Sequence, residues 1–259
     1  MADNDMMIPA RELNAENFLP ADLLQSWIRP LIAEFIGPFA LTFVGAGAIM
    51  TAYTQDFGGG GTLVAVALAH GLAIGLMVAA AGHISGGHYN PAITIGMWVG
   101  GRIGPAKAVG YIAVQLAGAV AAALFLHYLF PAAVRDATNL GVPSIIHAGQ
   151  NPHIIVGRAH GFVIEALLTF FLVYVVMGSA VDPRGPGAIA PLVIGLTITM
   201  DILIGGPLTG AAMNPSRHFG PALVQGEWAD TWVYWAGPIA GAVVASVVQN
   251  YIFMPRAPK

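Results

Sequence analysis

Six stretches of the chain are apolar with little interruption, roughly residues 29–52, 62–82, 106–130, 159–180, 187–205 and 230–254. Each approaches or exceeds the length of about 20 residues that a helix needs to cross the hydrocarbon of a bilayer. Two further apolar stretches, about 90–100 and 214–224, are half that length and cannot span. Loop-forming residues fall between them: Gly58-Gly59-Gly60-Gly61, Gly104-Pro105, Asp182-Pro183-Arg184-Gly185-Pro186, and a long connection from Pro131 to Gly157. The order is span, span, half-length segment, span, and then the same again.

Polar residues inside the apolar stretches repeat with the same period. Glu34 stands in the first span of one half and Glu165 in the first span of the other. Each half-length segment opens on an Asn-Pro-small tripeptide, Asn90-Pro91-Ala92 and Asn214-Pro215-Ser216, lying 56 and 49 residues after its Glu. Asn is a good helix N-cap and Pro is favoured at the first helical position, so each tripeptide reads as a loop that abruptly starts a short helix. Three spans per half give the halves opposite orientations, and two broken helices in matching places point to a lined pathway. The fold class expected is an all-α membrane protein of six transmembrane helices and two re-entrant half-helices in an inverted repeat. Its parts are a cytoplasmic tail 1–28, a first repeat 29–130, an extracellular connection 131–157, a second repeat 158–254 and a tail 255–259.

Charge tests that topology independently. With both termini in the cytoplasm, the inner side carries Arg11, Arg29, Arg102, Lys107, Arg184, Arg256 and Lys259, and the outer side only Arg135 and Arg158. Trp27, Trp98, Trp228, Trp232 and Trp235 fall near segment ends, as in an interfacial belt. Gly71-x-x-x-Gly75 and Gly237-x-x-x-Gly241 are small-residue pairs that let helices approach closely in lipid.

Composition narrows the function classes. Of 259 residues 56% are hydrophobic and 9% charged, against roughly 25% charged in soluble domains; mean hydropathy is +0.72. So few charges cannot cover the surface of a soluble enzyme. The net charge of −3 and dispersed basic residues argue against a nucleic-acid partner. There is no Cys, hence no disulfide and no thiolate metal site. Residues 1–27 are rich in acids and lack an apolar run, so they do not read as a cleaved signal. His83 and His88 lack a third ligand at suitable spacing, so neither a metal nor another cofactor is expected. Paired catalytic groups of an enzyme are likewise missing from the spans.

Two segments carry the decisive resemblance: His83-Ile84-Ser85-Gly86-Gly87-His88-Tyr89-Asn90-Pro91-Ala92 and Met213-Asn214-Pro215-Ser216-Arg217-His218-Phe219-Gly220-Pro221. With the two early glutamates, they resemble the major intrinsic protein family, the aquaporins and glycerol facilitators, from Arg29 to Phe253. Ser216 replaces the usual Ala, a small change. The resemblance implies half-helices meeting at the membrane midplane and a homotetramer with a pore in each protomer. It places Arg217 at one corner of the outer constriction, with His70, Ile202 and Ala211 at the others, a set similar to the plant tonoplast type. That implies passage of water, with ammonia, hydrogen peroxide and urea as further neutral solutes. Glycerol facilitators usually carry Asp after the Arg and a Pro-aliphatic pair at the start of the last span; here stand His218 and Tyr234-Trp235, which favours the water-selective branch.

The residues also suggest a mechanism. Each half-helix presents a partial positive charge at its N-terminus. If the side-chain oxygens of Asn90 and Asn214 cap their helices, the amide NH₂ groups face the lumen and hold a water whose hydrogens point apart, breaking a proton wire. Carbonyls of residues 83–89 and 206–213 would line the file. Glu34 and Glu165 are buried acids, expensive in a span unless partnered; they read either as loop braces, with His83 as a third, or as the relay of a proton-coupled transporter. The bracing reading is preferred because the two acids are symmetric and the spans lack a basic partner. Asp201, His218 and His147 are candidates for the pore mouth, with His153 on the same outer loop. The alternatives carried forward are a small-polyol facilitator and, behind it, coupled transport or a purely adhesive role. A cell membrane, the plasma membrane, is the expected location.

Overall fold

The structure is a computed structural model and describes residues 20–55, 58–146 and 156–254. His147 and His153 therefore lie outside the described residues. Six long helices carry the six apolar stretches: α1 Ala21–Gln55, α2 Gly59–Ser85, α4 Pro105–Leu129, α6 Arg158–Val181, α7 Gly187–Thr209 and α9 Val233–Phe253. Two short ones, α3 Pro91–Val99 and α8 Pro215–Gln225, are the half-length segments. The connection expected as a long loop contains a further short helix, α5 Ala132–Ala137, and a 3₁₀ turn Asn139–Gly141.

Packing repeats with the sequence. In the first half α1 lies against α2 and α4; in the second α6 lies against α7 and α9; α2 and α7 join the halves. The half-helices are exchanged: α3 packs mainly on α9, and α8 on α4. The close crossings rest on glycines at matched positions. A Cβ on Gly118 of α4 would lie 2.2 Å from the Phe35 carbonyl oxygen of α1, and one on Gly241 of α9 would lie 2.0 Å from that of Ala166 of α6. Where α2 meets α7, Gly71 and Gly195 face each other's backbone, a Cβ on Gly195 falling 2.6 Å from the Gly71 oxygen. Without a hydrophobic force between helices in lipid, such backbone approach supplies the contact.

The outer surface is apolar. Leu72, Leu76, Val109, Leu192, Leu196 and Ile204 are all more than half exposed, as a lipid-facing wall requires and a water-facing one would not tolerate. Buried polar side chains gather inside instead, Glu34, Glu165, Asn90, Asn214 and Arg217 among them.

Two helix ends differ from the expected limits. α2 runs on to Ser85 and α7 through Pro207 to Thr209, so the irregular approaches are residues 86–89 and 210–213, shorter than 83–89 and 206–213. The true C-caps are Gly86 (φ 93°) and Gly210 (φ 79°), whose N–H groups bond Gly82 and Gly206 carbonyls; the left-handed conformation there suits glycine. Pro207 lies inside the last turn and has no N–H to give the carbonyl four residues before it. At the other end, Gly59–Gly61 begin α2 and only Gly58 remains outside it as the N-cap.

At the side where α3 ends, two arginines hold the last turn of α9. Arg102 donates to Asn250 Oδ1 through Nη2 at 2.6 Å and Nε at 3.2 Å. Arg184 forks onto Asp182 and also donates to the Phe253 carbonyl at 2.6 Å.

Candidate functional site

Glu34 and Glu165 are fully buried, and every oxygen is used. Glu34 Oε1 accepts from the Ser85 hydroxyl (2.6 Å) and His88 N–H (2.8 Å), and Oε2 from Tyr89 N–H and Gln115 Nε2, both at 2.7 Å. Glu165 Oε1 accepts from the Thr209 hydroxyl (2.7 Å) and Ala212 N–H (3.0 Å), and Oε2 from Met213 N–H (2.7 Å). Ser85, His88 and Tyr89 correspond to Thr209, Ala212 and Met213, while Gln115 is an additional donor to Glu34. His83, expected as a third brace, is exposed and stands outside the set, because α2 is still helical there and turns its side chain away.

Tyrosines do the bracing that His83 does not. Tyr111 of α4 donates to the Ser85 carbonyl at 2.8 Å and Tyr234 of α9 to that of Thr209 at 2.9 Å. Each ties the final turn of a long helix to the last span of its own half. Their matched places in the two halves were readable in the sequence, but nothing local indicated the carbonyls they reach.

These braces hold strained backbone. Tyr89 (φ 49°), Ala211 (φ 45°) and Met213 (φ 51°) are left-handed non-glycine residues, each costing about 1–2 kcal/mol. The strain turns two carbonyls to where the opposite half can use them. Asn90 Nδ2 donates to the Met213 carbonyl at 2.8 Å, and Asn214 Nδ2 to the Tyr89 carbonyl at 2.9 Å. Their Oδ1 atoms cap the half-helices as expected, accepting from Ala92 N–H (2.8 Å) and Ser216 N–H (3.0 Å). Each amide thus keeps one N–H, not two, for the lumen. Ser216 donates its hydroxyl to Asn214 Oδ1 at 2.7 Å, a bond that Ala would lack.

A narrow cavity joins these groups, lined by Asn90 and Asn214, by Ile74, Ile194 and Ile198, and by His70, Ile202, Ala211 and Arg217. The four expected filter residues are therefore brought together, each at most 5% exposed. Arg217 donates through Nε to His70 Nε2 at 3.1 Å and through Nη1 to the Gly141 carbonyl at 2.9 Å. The second contact, from the connection between the halves, was not anticipated; Asn139 and Gly141 hint at a left-handed turn, but no local signal ties it to Arg217.

Two mouth candidates are displaced from the lumen. His218 is fully buried and stacks on Tyr234, centroids 4.4 Å apart and planes 14° apart, because the helical step from Arg217 turns it toward α9. Asp201 is 1% exposed; it neither lines the cavity nor bonds Arg217, and its Oδ2 has no partner among the described residues. No cluster of three His, Asp or Glu side chains suited to a metal occurs among the described residues.

Comparison with known proteins gives a consistent result. The major intrinsic protein family matches residues 23–249. Aquaporin TIP4-4 of Zea mays is 45% identical over 234 residues, covering 88% of each chain. Probable aquaporin TIP3-2 of Arabidopsis thaliana is 44% identical over 238 residues, covering 88% of this chain and 85% of that one. Among solved structures, an aquaglyceroporin from Plasmodium falciparum superposes with a TM-score of 0.73 at 27% identity, covering 87% of this chain and 96% of its own.

Proposed function

The chain belongs to the major intrinsic protein family, and from that premise we propose how its pore divides the work of selection. It is a multi-pass integral membrane protein and a passive channel for water and small solutes. Family members are channels, not enzymes. The reading rests on one observation: both motif asparagines and all four filter residues line a single cavity.

Asn90 and Asn214 act at the midplane. Each offers one N–H to a passing water, whose oxygen accepts while its hydrogens turn away along the file. The N-termini of α3 and α8 add a positive field that opposes protons and cations. Isoleucines along the wall give water few competing partners, so it moves from one polar station to the next.

His70, Ile202, Ala211 and Arg217 form the outer constriction. Ile202 and Ala211 leave one side apolar, and Arg217 repels cations from the other. Water is the principal solute, with ammonia, hydrogen peroxide and urea as the neutral molecules this mixed wall suits. Glycerol facilitation is the rival; the structural neighbour named an aquaglyceroporin is less similar in sequence than the aquaporin relatives. Glu34 and Glu165 serve as braces, since their oxygens are occupied by loop and side-chain donors. Asp201 and His218 support the wall from behind.

The apolar outer surface faces lipid and three sister subunits of a homotetramer, and both termini lie on the cytoplasmic, arginine-rich side. The tonoplast-type relatives favour an internal membrane of that kind over the plasma membrane expected from the sequence. Stopped-flow light scattering on proteoliposomes tests the proposal, with water, glycerol, ammonia and urea gradients in parallel. Fast water flux with little glycerol flux is expected. Glycerol flux matching water would assign the chain to the polyol branch instead.

A further inference from the structure

Arg217 is held by two anchors, and both rest in turn on a helix that carries none of the four filter residues. His70 Nδ1 lies 2.8 Å from the Val66 carbonyl. A carbonyl only accepts, so Nδ1 carries the proton and Nε2 is a bare acceptor. Arg217 Nε–H fills that acceptor at 3.1 Å. Both ring nitrogens are thereby spent, and the imidazole presents solute with no free donor. His70 works as a shaped wall and as an anchor. The second anchor is the Gly141 carbonyl, 2.9 Å from Nη1.

Both anchors rest on consecutive residues of α1. The imidazole fills the space where Gly45 has no side chain: a Cβ there would lie 2.2 Å from His70 Nε2 and 2.4 Å from its Cδ2. Gly141, at φ 70°, leans on Ala46, and a Cβ on Gly141 would lie 2.7 Å from the Ala46 Cβ. Ala46 is fully buried. The volume at positions 45 and 46 thus fixes how far the ring and the connection withdraw from the pore axis, and with them the guanidinium.

We propose that Gly45 and Ala46 of α1 are specificity-determining positioning residues, which set the width and polarity of the constriction through His70 and Gly141 without touching solute. The inference rests on the reading of His70 and Arg217 as filter residues. A methyl at position 45 must displace the ring by more than an ångström to reach ordinary contact of 3.4–4 Å. The ring moves into the lumen and Arg217 loses its Nε partner.

The test compares Gly45→Ala, Ala46→Gly and the double variant Gly45→Ala/His70→Ala in proteoliposomes, with protein content and oligomer elution checked for each. Gly45→Ala is expected to lower the ratio of urea to water permeability by about tenfold, the scale on which one methyl in a snug pocket discriminates substrates. The double variant, lacking the ring that the methyl strikes, is expected to lose that fall and to raise the urea ratio above wild type. Ala46→Gly, which folds without any clash, is expected to raise that ratio by letting Gly141 and Arg217 sink back. A urea-to-water ratio unchanged in both Gly45→Ala and Ala46→Gly, with fast water flux in the wild type, overturns the inference alone. Absent water flux in the folded wild type overturns the underlying channel reading.

Discussion

Replacing Glu165 by Ala separates bracing from relay. The substitution removes the acceptor of two backbone N–H groups, Ala212 and Met213, and of the Thr209 hydroxyl. The hydroxyl still accepts from Ala211 N–H at 3.2 Å, but the two amides are buried with nothing else to bond. Orphaned buried donors cost about 1–3 kcal/mol each, so the loss is about 2–6 kcal/mol, a large fraction of a typical stability of 5–15 kcal/mol. On the scale of 2–4 °C per kcal/mol this is a fall in Tm on the order of 10 °C. Met213 also supplies the carbonyl that receives Asn90 Nδ2, so water permeability should drop as the midplane loosens. Glu165→Gln keeps an acceptor oxygen but turns an amide NH₂ toward one of the donors, and should lose roughly half as much. The assays are thermal unfolding in detergent, followed by tetramer elution, and stopped-flow water flux. A Glu165→Ala protein with wild-type Tm and wild-type water flux would refute the bracing argument; solute uptake driven by a pH gradient and lost in Glu165→Gln would favour the relay.

Three further outcomes follow from the packing. Arg217→Ala removes the one cation that lines the constriction among the described residues and should admit larger neutral solutes or cations; unchanged selectivity in a flux assay would remove Arg217 from the filter. Gly241→Val places a Cβ 2.0 Å from the Ala166 carbonyl, and overpacking of this kind costs about 1–3 kcal/mol, so Tm should fall while solute ratios among surviving channels stay the same; altered ratios would show that the α6–α9 crossing also shapes the pore. The Asp182–Arg184 fork holds the Asp182 carboxyl down at about 2, below its ordinary 3.8, chiefly through the Arg184 hydrogen bonds. A depressed folded-state value means the contribution is complete above the ordinary value and lost as pH falls through about 2, so hydrogen-exchange protection of residues 249–254 should be flat between about pH 5 and pH 8 and collapse only in strong acid. A midpoint near neutrality would assign the latch to another group.

What the sequence disclosed was whatever repeats locally. Apolar runs of spanning length, Asn-Pro caps and the paired glutamates carry their meaning within a few residues, and each element they predict is present. The helix ends were misjudged where glycine was read as a breaker: Gly205 and Gly206 stay helical, and Gly210 supplies the left-handed cap three residues beyond Pro207. The contacts that shape the site join residues 25 to 147 positions apart, from Tyr234 with Thr209 to Arg217 with His70. No hydrophobic period encodes these pairs. His218 shows the same limit, since its place beside Arg217 in the chain suggested the mouth while the helical turn sends it to Tyr234.

The exchange of half-helices and midplane hydrogen bonds has a consequence for how the protein is made. While only the first half has left the ribosome, α3 has no α9 to lie against, Tyr89 offers its carbonyl to nothing and Asn90 lacks the Met213 carbonyl. A re-entrant segment with unmet backbone groups is not stable in hydrocarbon. The first loop must therefore wait at the membrane surface or in the insertion machinery until the final helix arrives. The midplane is therefore complete only when both halves of the chain are in the bilayer, each supplying the carbonyl that the other's asparagine needs.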